Sequence, residues 1–408
     1  MLSRIHRRII PLLPLALLAA AAAIAQEDES QLQRMLEGQR FDPELLIDEA
    51  GGGEAGGRFQ QDAPTAQGDY AGSKVALILP TKRAGLAGDA ARALLDGFQH
   101  AAEVESDFLE LAIYSTDGTP EDVLLSYDHA ADSGVGLVVG PMLKGSVGEL
   151  LQARKGATVT TLVTQPVDVF EFDESEIYGI SIGYEAEAKM IARTAVDTGL
   201  VSGAIVVEEA GPFGRRVTES FAREWERLTN AAPRRILVAT QDDYVELHES
   251  LKEVARASIE SGSSYWPLVF AAGERDFVLK ARAHTPGLLA LHALSLANEF
   301  DRPVRDDVSV LGMDNVHMVE MPWVVAPDAV LPARYHDASA RGRSLIEQRF
   351  FALGVDIYRL AAQRICWSVG CSADGVAGTW TISRGEHNFR RAGILASYVE
   401  GALTVGGS

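Results

Sequence analysis

The chain has 408 residues, of which 47% are hydrophobic and 23% charged; that is the balance of a globular protein with room for two or more ordinary domains. Its formal charge is −20, and without the first 25 residues, which carry Arg4, Arg7 and Arg8 and no acid, it is −23. A field of that sign repels phosphate backbones and anionic lipid surfaces, which argues against nucleic acid and peripheral membrane binding and favours a basic protein surface as partner.

The amino-terminal end reads as an export signal. Arg4, Arg7 and Arg8 form a positive start, Ile9 to Ala22 is apolar, and Ala23-Ile24-Ala25 supplies small residues for cleavage between Ala25 and Gln26. The expected location is therefore the periplasm. No cysteine lies near that junction to carry a lipid, so no lipid anchor is expected. Residues 26–73 hold 11 acids and 3 basic residues, and five of the seven residues at 51–57 are glycine. This composition predicts a flexible acidic linker without a core.

From Lys74 the pattern changes to alternating strand and helix. Short apolar runs predict strands at 75–80, 109–115, 136–140, 158–163, 177–182, 203–208, 234–240, 267–272, 288–293 and 308–312. Their continuous Val, Ile and Leu content is that of strands covered on both faces. Between them, amphipathic segments predict helices at 86–104, 119–133, 144–154, 184–198, 214–229, 243–260 and 274–283. This alternation specifies an α/β fold with doubly wound parallel sheet. LVVGPMLKGSV at 137–147 reads as a buried strand, a Gly-Pro turn and a helix start. RFFALGVDIYRLA at 349–361 reads as a helix with Phe350, Leu353, Ile357 and Leu360 on one face. Trp323, in MPWVV at 321–325, suits an exposed anchor or a core position, and the core is favoured. Cys366 and Cys371 are the only cysteines, and in an oxidising compartment they are candidates for a disulfide, with Gly370 giving the turn.

No catalytic constellation emerges. GVGLVVG at 134–140 has glycines at the wrong spacing and on the wrong side of its strand for a dinucleotide fingerprint. GPMLKGS at 140–146 places Lys144 before Gly145, unlike a phosphate loop. The nine histidines are scattered singly, and acid pairs such as Glu208-Glu209 suit a solvated face as well as chemistry. No enzyme activity, cofactor or metal is expected. Ligands of open α/β sheets bind beyond the carboxyl ends of the strands. That rule marks a crevice at Thr81, Lys82, Pro141, Thr164 and Gln165 from one half, and Tyr184, Phe213, Arg215 and Glu274 from the other.

The three strings at 137–147, 321–325 and 349–361, in this order and with these gaps, resemble the carboxy-terminal domain of the penicillin-binding-protein activators, the LppC/LpoA-type family. The resemblance spans roughly 74–401. It implies a type I periplasmic-binding-protein fold, two doubly wound parallel-sheet lobes joined by a multi-strand hinge. Lobe 1 would take about 74–182 and 313–374, and lobe 2 about 183–312 and 375–401. The segment 205–225 matches the second-lobe strand, loop and helix, and 376–401 the closing hairpin. Residues 26–73 hold no counterpart of the large helical-repeat domain of long activators. The implied function is a non-enzymatic regulator of peptidoglycan synthesis that docks on a class A penicillin-binding protein. The alternative is a soluble periplasmic receptor for a small, polar, amino acid-like ligand. Two departures bear on the crevice: Lys82 and Arg83 replace small residues, and Ser115-Thr116 stands where activators tend to show Asp-Thr.

Overall fold

Strand and helix alternate from Lys74 onward in the computed structural model, which describes residues 74–105, 109–154, 159–165, 176–197, 199, 201–262, 265–298 and 312–406. The expected signal segment, its Ala25–Gln26 junction and the linker at 26–73 lie outside the described residues.

The first lobe is built on β1 (Lys74–Leu79), α1 (Leu86–Glu105), β2 (Glu110–Ser115), α2 (Pro120–Asp132), β3 (Leu137–Val139), α3 (Lys144–Ala153), β4 (Thr160–Val163) and β5 (Ile177–Gly179). Its five strands are parallel in the order β2-β1-β3-β4-β5. Alternate residues of β1 face opposite layers, as a pleated strand requires. Val75, Leu77 and Leu79 join Leu94 and Phe98 of α1, whereas Ala76 and Ile78 join Val123, Tyr127, Val147 and Leu150 of α2 and α3.

The second lobe follows with α4 (Tyr184–Asp197), β6 (Val201–Glu209), α5 (Pro212–Thr229), β7 (Arg234–Val238), α6 (Asp243–Glu260), β8 (Trp266–Ala272), α7 (Arg275–His284), β9 (Leu291–Ala293) and β10 (Val316–Glu320). The expected strand at 308–312 falls almost wholly outside the described residues. The strand after β9 is β10, which the sequence reading passed over because His317 and Glu320 interrupt its apolar run. After β10 come three short helices, α8 (Pro322–Val325), α9 (Val330–Arg334) and α10 (Ala338–Arg341), and then the long α11 (Leu345–Ala362). The chain ends in β11 (Cys371–Asp374), β12 (Thr379–Ile382), β13 (Arg390–Ala392), β14 (Ile394–Val399) and β15 (Ala402–Val405).

The second sheet runs β15-β14-β10-β9-β8-β6-β7 and the third β11-β12-β13. The lobe divisions therefore differ from those expected. Residues 316–320 pair with β9 and β14 in the second sheet, with Val316 and Met318 in that lobe's core, so the chain leaves the second lobe at Met321. The segment 376–401 is not one closing hairpin. β12 and β13 belong to the third sheet, whose Trp380, Ile382 and Phe389 pack into the core of the first lobe. Its connecting turn is tied to β5, with Gly179 N donating to His387 O at 2.7 Å and Phe389 N to Gly179 O at 2.8 Å. Only at Ile394 does the chain re-enter the second sheet, antiparallel to β10.

α11 begins four residues before the string that predicted it. Ser344 caps it, accepting from Glu347 N while the Glu347 carboxylate accepts from Ser344 N. It is buried on nearly every side, Arg349 and Asp356 included, and not on one face alone. It crosses α1 at backbone contact. A Cβ on Gly354 would lie 2.0 Å from Leu94 O, and one on Gly97 would lie 2.0 Å from Phe351 O. Trp323 is fully buried, tilted against Phe351, with the Arg341 guanidinium 3.9 Å from its ring centroid. This is the core position. Cys366 and Cys371 are bridged, and Gly370 takes the positive φ of 97° that closes their loop.

Candidate functional site: the carboxyl edges and the hinge

The strand ends of the first sheet are tied to one another. After β1, Thr81 N donates to Leu79 O and Lys82 N to Thr116 O at 3.1 Å, while Thr116 N donates to Leu79 O at 2.9 Å. Arg92 Nη1 donates to Thr81 O at 2.7 Å. Thr81 and Lys82 are therefore brought beside the loop after β2. There the backbone N–H and hydroxyl of Thr119 hold the Asp117 carboxyl below its usual range, with Lys82 adding to the effect. After β3, the turn at Gly140-Pro141 needs glycine, because φ is 107° and a Cβ would lie 2.1 Å from Ile78 O. Thr164 N donates to Pro141 O at 3.3 Å and Gln165 Nε2 to Met142 O at 3.1 Å. Pro141, Thr164 and Gln165 thus form a second cluster. The hydroxyls of Thr116 and Thr164 are buried and have no hydrogen-bond partner among the described residues.

The second-lobe residues divide differently. Tyr184 belongs to the core of its lobe, with its ring edge-on to Phe213 at 5.4 Å, so it is not a crevice-lining group. A large aromatic at the first position of a helix, directly after the crossing, is drawn inward by α5. Phe213 is partly buried behind it, and Arg215 is exposed on the first turn of α5. Glu274 N donates to Glu209 Oε2 at 2.7 Å. Burial raises the Glu209 carboxyl above its ordinary value, against the pull of the Glu274 N–H. Sequence reasoning left Glu209 as one of a surface pair; its position at the last residue of β6 is the signal that it turns toward the next loop. Two shallow depressions lie elsewhere. One is at Ser202, Ala204, Val254, Ala257 and Tyr265, the other along β7 at Arg234, Leu237, Asp243 and Ser250; neither includes an expected crevice residue.

The hinge holds charged groups that sequence reasoning missed. Asp356 of α11 is buried and accepts from Val376 N at 2.6 Å, Ala377 N at 2.8 Å and Trp380 Nε1 at 2.8 Å. Burial pushes its carboxyl up to about 6 against the pull of those three donors. Trp323 N in turn donates to Val376 O at 2.8 Å, which joins the segment after β10 to the segment after β11. The available signal was charge inside the apolar string 349–361, where Arg349 and Asp356 interrupt a helix buried all round. Among the described residues, no group of three or more His, Cys, Asp or Glu is placed to hold a metal, and no helix is long and apolar enough to cross a membrane.

His292 and His317 are register partners on β9 and β10, their rings stacked with centroids 5.3 Å apart. Burial, and then the neighbouring His317, push His292 down to about 3; burial, and then Arg282, lower His317. Above the unfolded value of about 6.5 both states are neutral and the stability contribution is complete. As pH falls below it, the unfolded chain takes protons that the folded one refuses, and stability is lost. His292 alone removes about 2 kcal/mol at pH 5. Thermal midpoints measured from pH 7 to pH 5 should fall less steeply for His292→Gln than for the wild type; parallel slopes would contradict the assignment.

Comparison with known proteins bears on the whole described region. Residues 68–259 match the family model described as "LppC putative lipoprotein". A penicillin-binding protein activator LpoA from Glaesserella parasuis is 26% identical over 294 residues, 70% of this chain and 46% of that protein. The LpoA of Escherichia coli is 33% identical over 119 residues, 29% of this chain and 17% of that protein. The chain spans about half the length, 46% and 47%, of the curated relatives it matches most extensively. Among solved structures, the carboxy-terminal domain of Haemophilus influenzae LpoA, a regulator of PBP1A, superposes with a TM-score of 0.65 at 17% identity, over 82% of this chain and 100% of that one. A "putative branched-chain amino acid ABC transporter" from Chromobacterium violaceum superposes with the same TM-score at 23% identity, over 80% of this chain and 99% of that one. The chain is thus similar to the LppC-type penicillin-binding-protein activators, and its described region has the type I periplasmic-binding-protein fold of the LpoA carboxy-terminal domain.

Proposed function

We propose that the protein is a non-enzymatic regulator that works in the periplasm by docking on a class A penicillin-binding protein and shifting the population of its active state. The observation that carries this reading is the match to curated activators over 294 residues, which takes in both lobes. The strand-end geometry supports it. The backbone groups that would greet a crevice ligand are largely bonded to one another, and Tyr184 is spent on the core. Docking would use the acidic outer faces, so association should weaken at high salt.

One observation favours a second reading, a receptor for a small polar ligand. The unpartnered hydroxyls of Thr116 and Thr164 both follow strands of the first sheet at its carboxyl edge. The deciding measurement is glycan-strand synthesis by a cognate class A penicillin-binding protein with and without this chain. A rate increase that survives Arg215→Ala is the expected result. An unchanged rate, together with saturable binding of an amino acid that Arg215→Ala abolishes, would replace the regulator with the receptor.

A further inference from the structure

The lobes meet at a chain of buried polar groups. Glu320 is the last residue of β10 in the second lobe, Arg349 lies in α11 of the first, and both side chains are fully buried. Arg349 Nε lies 3.3 Å from Glu320 Oε1, and Nη2 contacts Oε2, so the guanidinium fork grips both oxygens. The carboxylate is bonded further from the second-lobe side and from the crossing itself. Asn298 Nδ2 donates to Oε2 at 3.2 Å and Met321 N to Oε1 at 2.9 Å. Asn298 is fixed in turn by Tyr398 of β14, whose hydroxyl donates to Oδ1 at 2.6 Å. A second buried pair spans the same boundary: Arg391 of β13 lies 4.0 Å from Glu187 of α4, and its Nη1 donates to Ala377 O at 3.1 Å.

A buried ion pair seldom adds stability over well-packed apolar groups of the same volume. What it adds is direction. Charge and donor geometry are satisfied at one arrangement, whereas apolar surfaces slide with little penalty. In a two-lobed protein, a pair with one partner on each lobe converts that selectivity into an angle. Rotating one lobe would pull the Arg349 fork off Glu320 and leave both charges buried and unmatched. We propose that the Glu320–Arg349 pair, with Asn298 and Tyr398, fixes a single angle between the lobes, so that the protein is a body of set geometry and not a receptor that closes on its ligand.

The test is the distribution of distances between spin labels on cysteines introduced at Leu125 and Ile259, exposed positions on α2 and α6. The native cysteines are bridged and do not take label. The wild type should give one narrow distribution. Glu320→Gln should broaden it or add a second distance. Should Glu320→Gln fail to fold, the double variant Glu320→Leu with Arg349→Met is informative, because an apolar pair keeps the packing. It should melt near the wild-type temperature yet show the broadened distribution. Two resolved distances in the wild type, or a single narrow distribution in the folded double variant, would overturn the proposal. No synthase takes part in this measurement, so its outcome is separate from that of the docking assay.

Discussion

Gly354→Ala should destabilise the protein by about 3 kcal/mol, although the same change in an open helix stabilises by up to about 1 kcal/mol. The added Cβ would have to occupy a point 2.0 Å from Leu94 O and 2.8 Å from Phe98 N, both backbone atoms of α1 that no rotamer change can move. The helices must then separate, and the seam between them is the centre of the first lobe's core, with Phe98 and Tyr358 edge to face at 5.2 Å. Gly148 on α3 provides the control, since nothing lies within 4 Å of its Cβ position. Gly148→Ala should raise the thermal midpoint slightly, while Gly354→Ala lowers it by several degrees. Equal shifts for the two would mean that the helices are not in backbone contact.

Asp356→Ala should cost about 3 kcal/mol or more, because it leaves three buried donors without an acceptor, each worth roughly 1 kcal/mol at the least. Asn is no rescue: its NH2 group would face donors. The damage should reach beyond α11, since Val376 and Ala377 lie between β11 and β12 of the third sheet and Trp380 lies in β12. The amide resonances of Val376 and Ala377 and the indole resonance of Trp380 should move together in Asp356→Ala. A variant that melts with the wild type and leaves the indole resonance in place would refute the role.

The strands were legible because helices cover both faces of each sheet, which leaves runs such as KVALIL and LVV almost wholly apolar. Where that condition fails, so did the reading. β10 carries His317 and Glu320 because it borders the second lobe's histidine pair and the hinge, and a strand with polar groups at those places has no clean period. The crevice residues were placed by a rule about strand ends, which finds the right loops. It cannot tell that the Tyr184 side chain turns inward, because that depends on α5 packing across α4. The hinge charges were visible as letters in the string 349–361. Their partners, Glu320 29 residues before Arg349 and Val376 20 residues after Asp356, are set only by the tertiary fold.

Each lobe is assembled from pieces far apart along the chain, and this constrains the order in which the protein can be made. α1 packs on α11, whose residues are synthesised some 250 positions later, as the Arg343–Asp96 bridge with its separation of 247 residues illustrates. The second sheet likewise waits for β14, which completes β10 from the far end. Neither core can close on a growing chain, so a nearly full-length polypeptide must stay open until its last strands emerge. Residues 394–405 bear on the second lobe alone: a chain stopped before Ile394 keeps every residue of the first lobe's main core but lacks the strand that seals the second sheet beside the hinge.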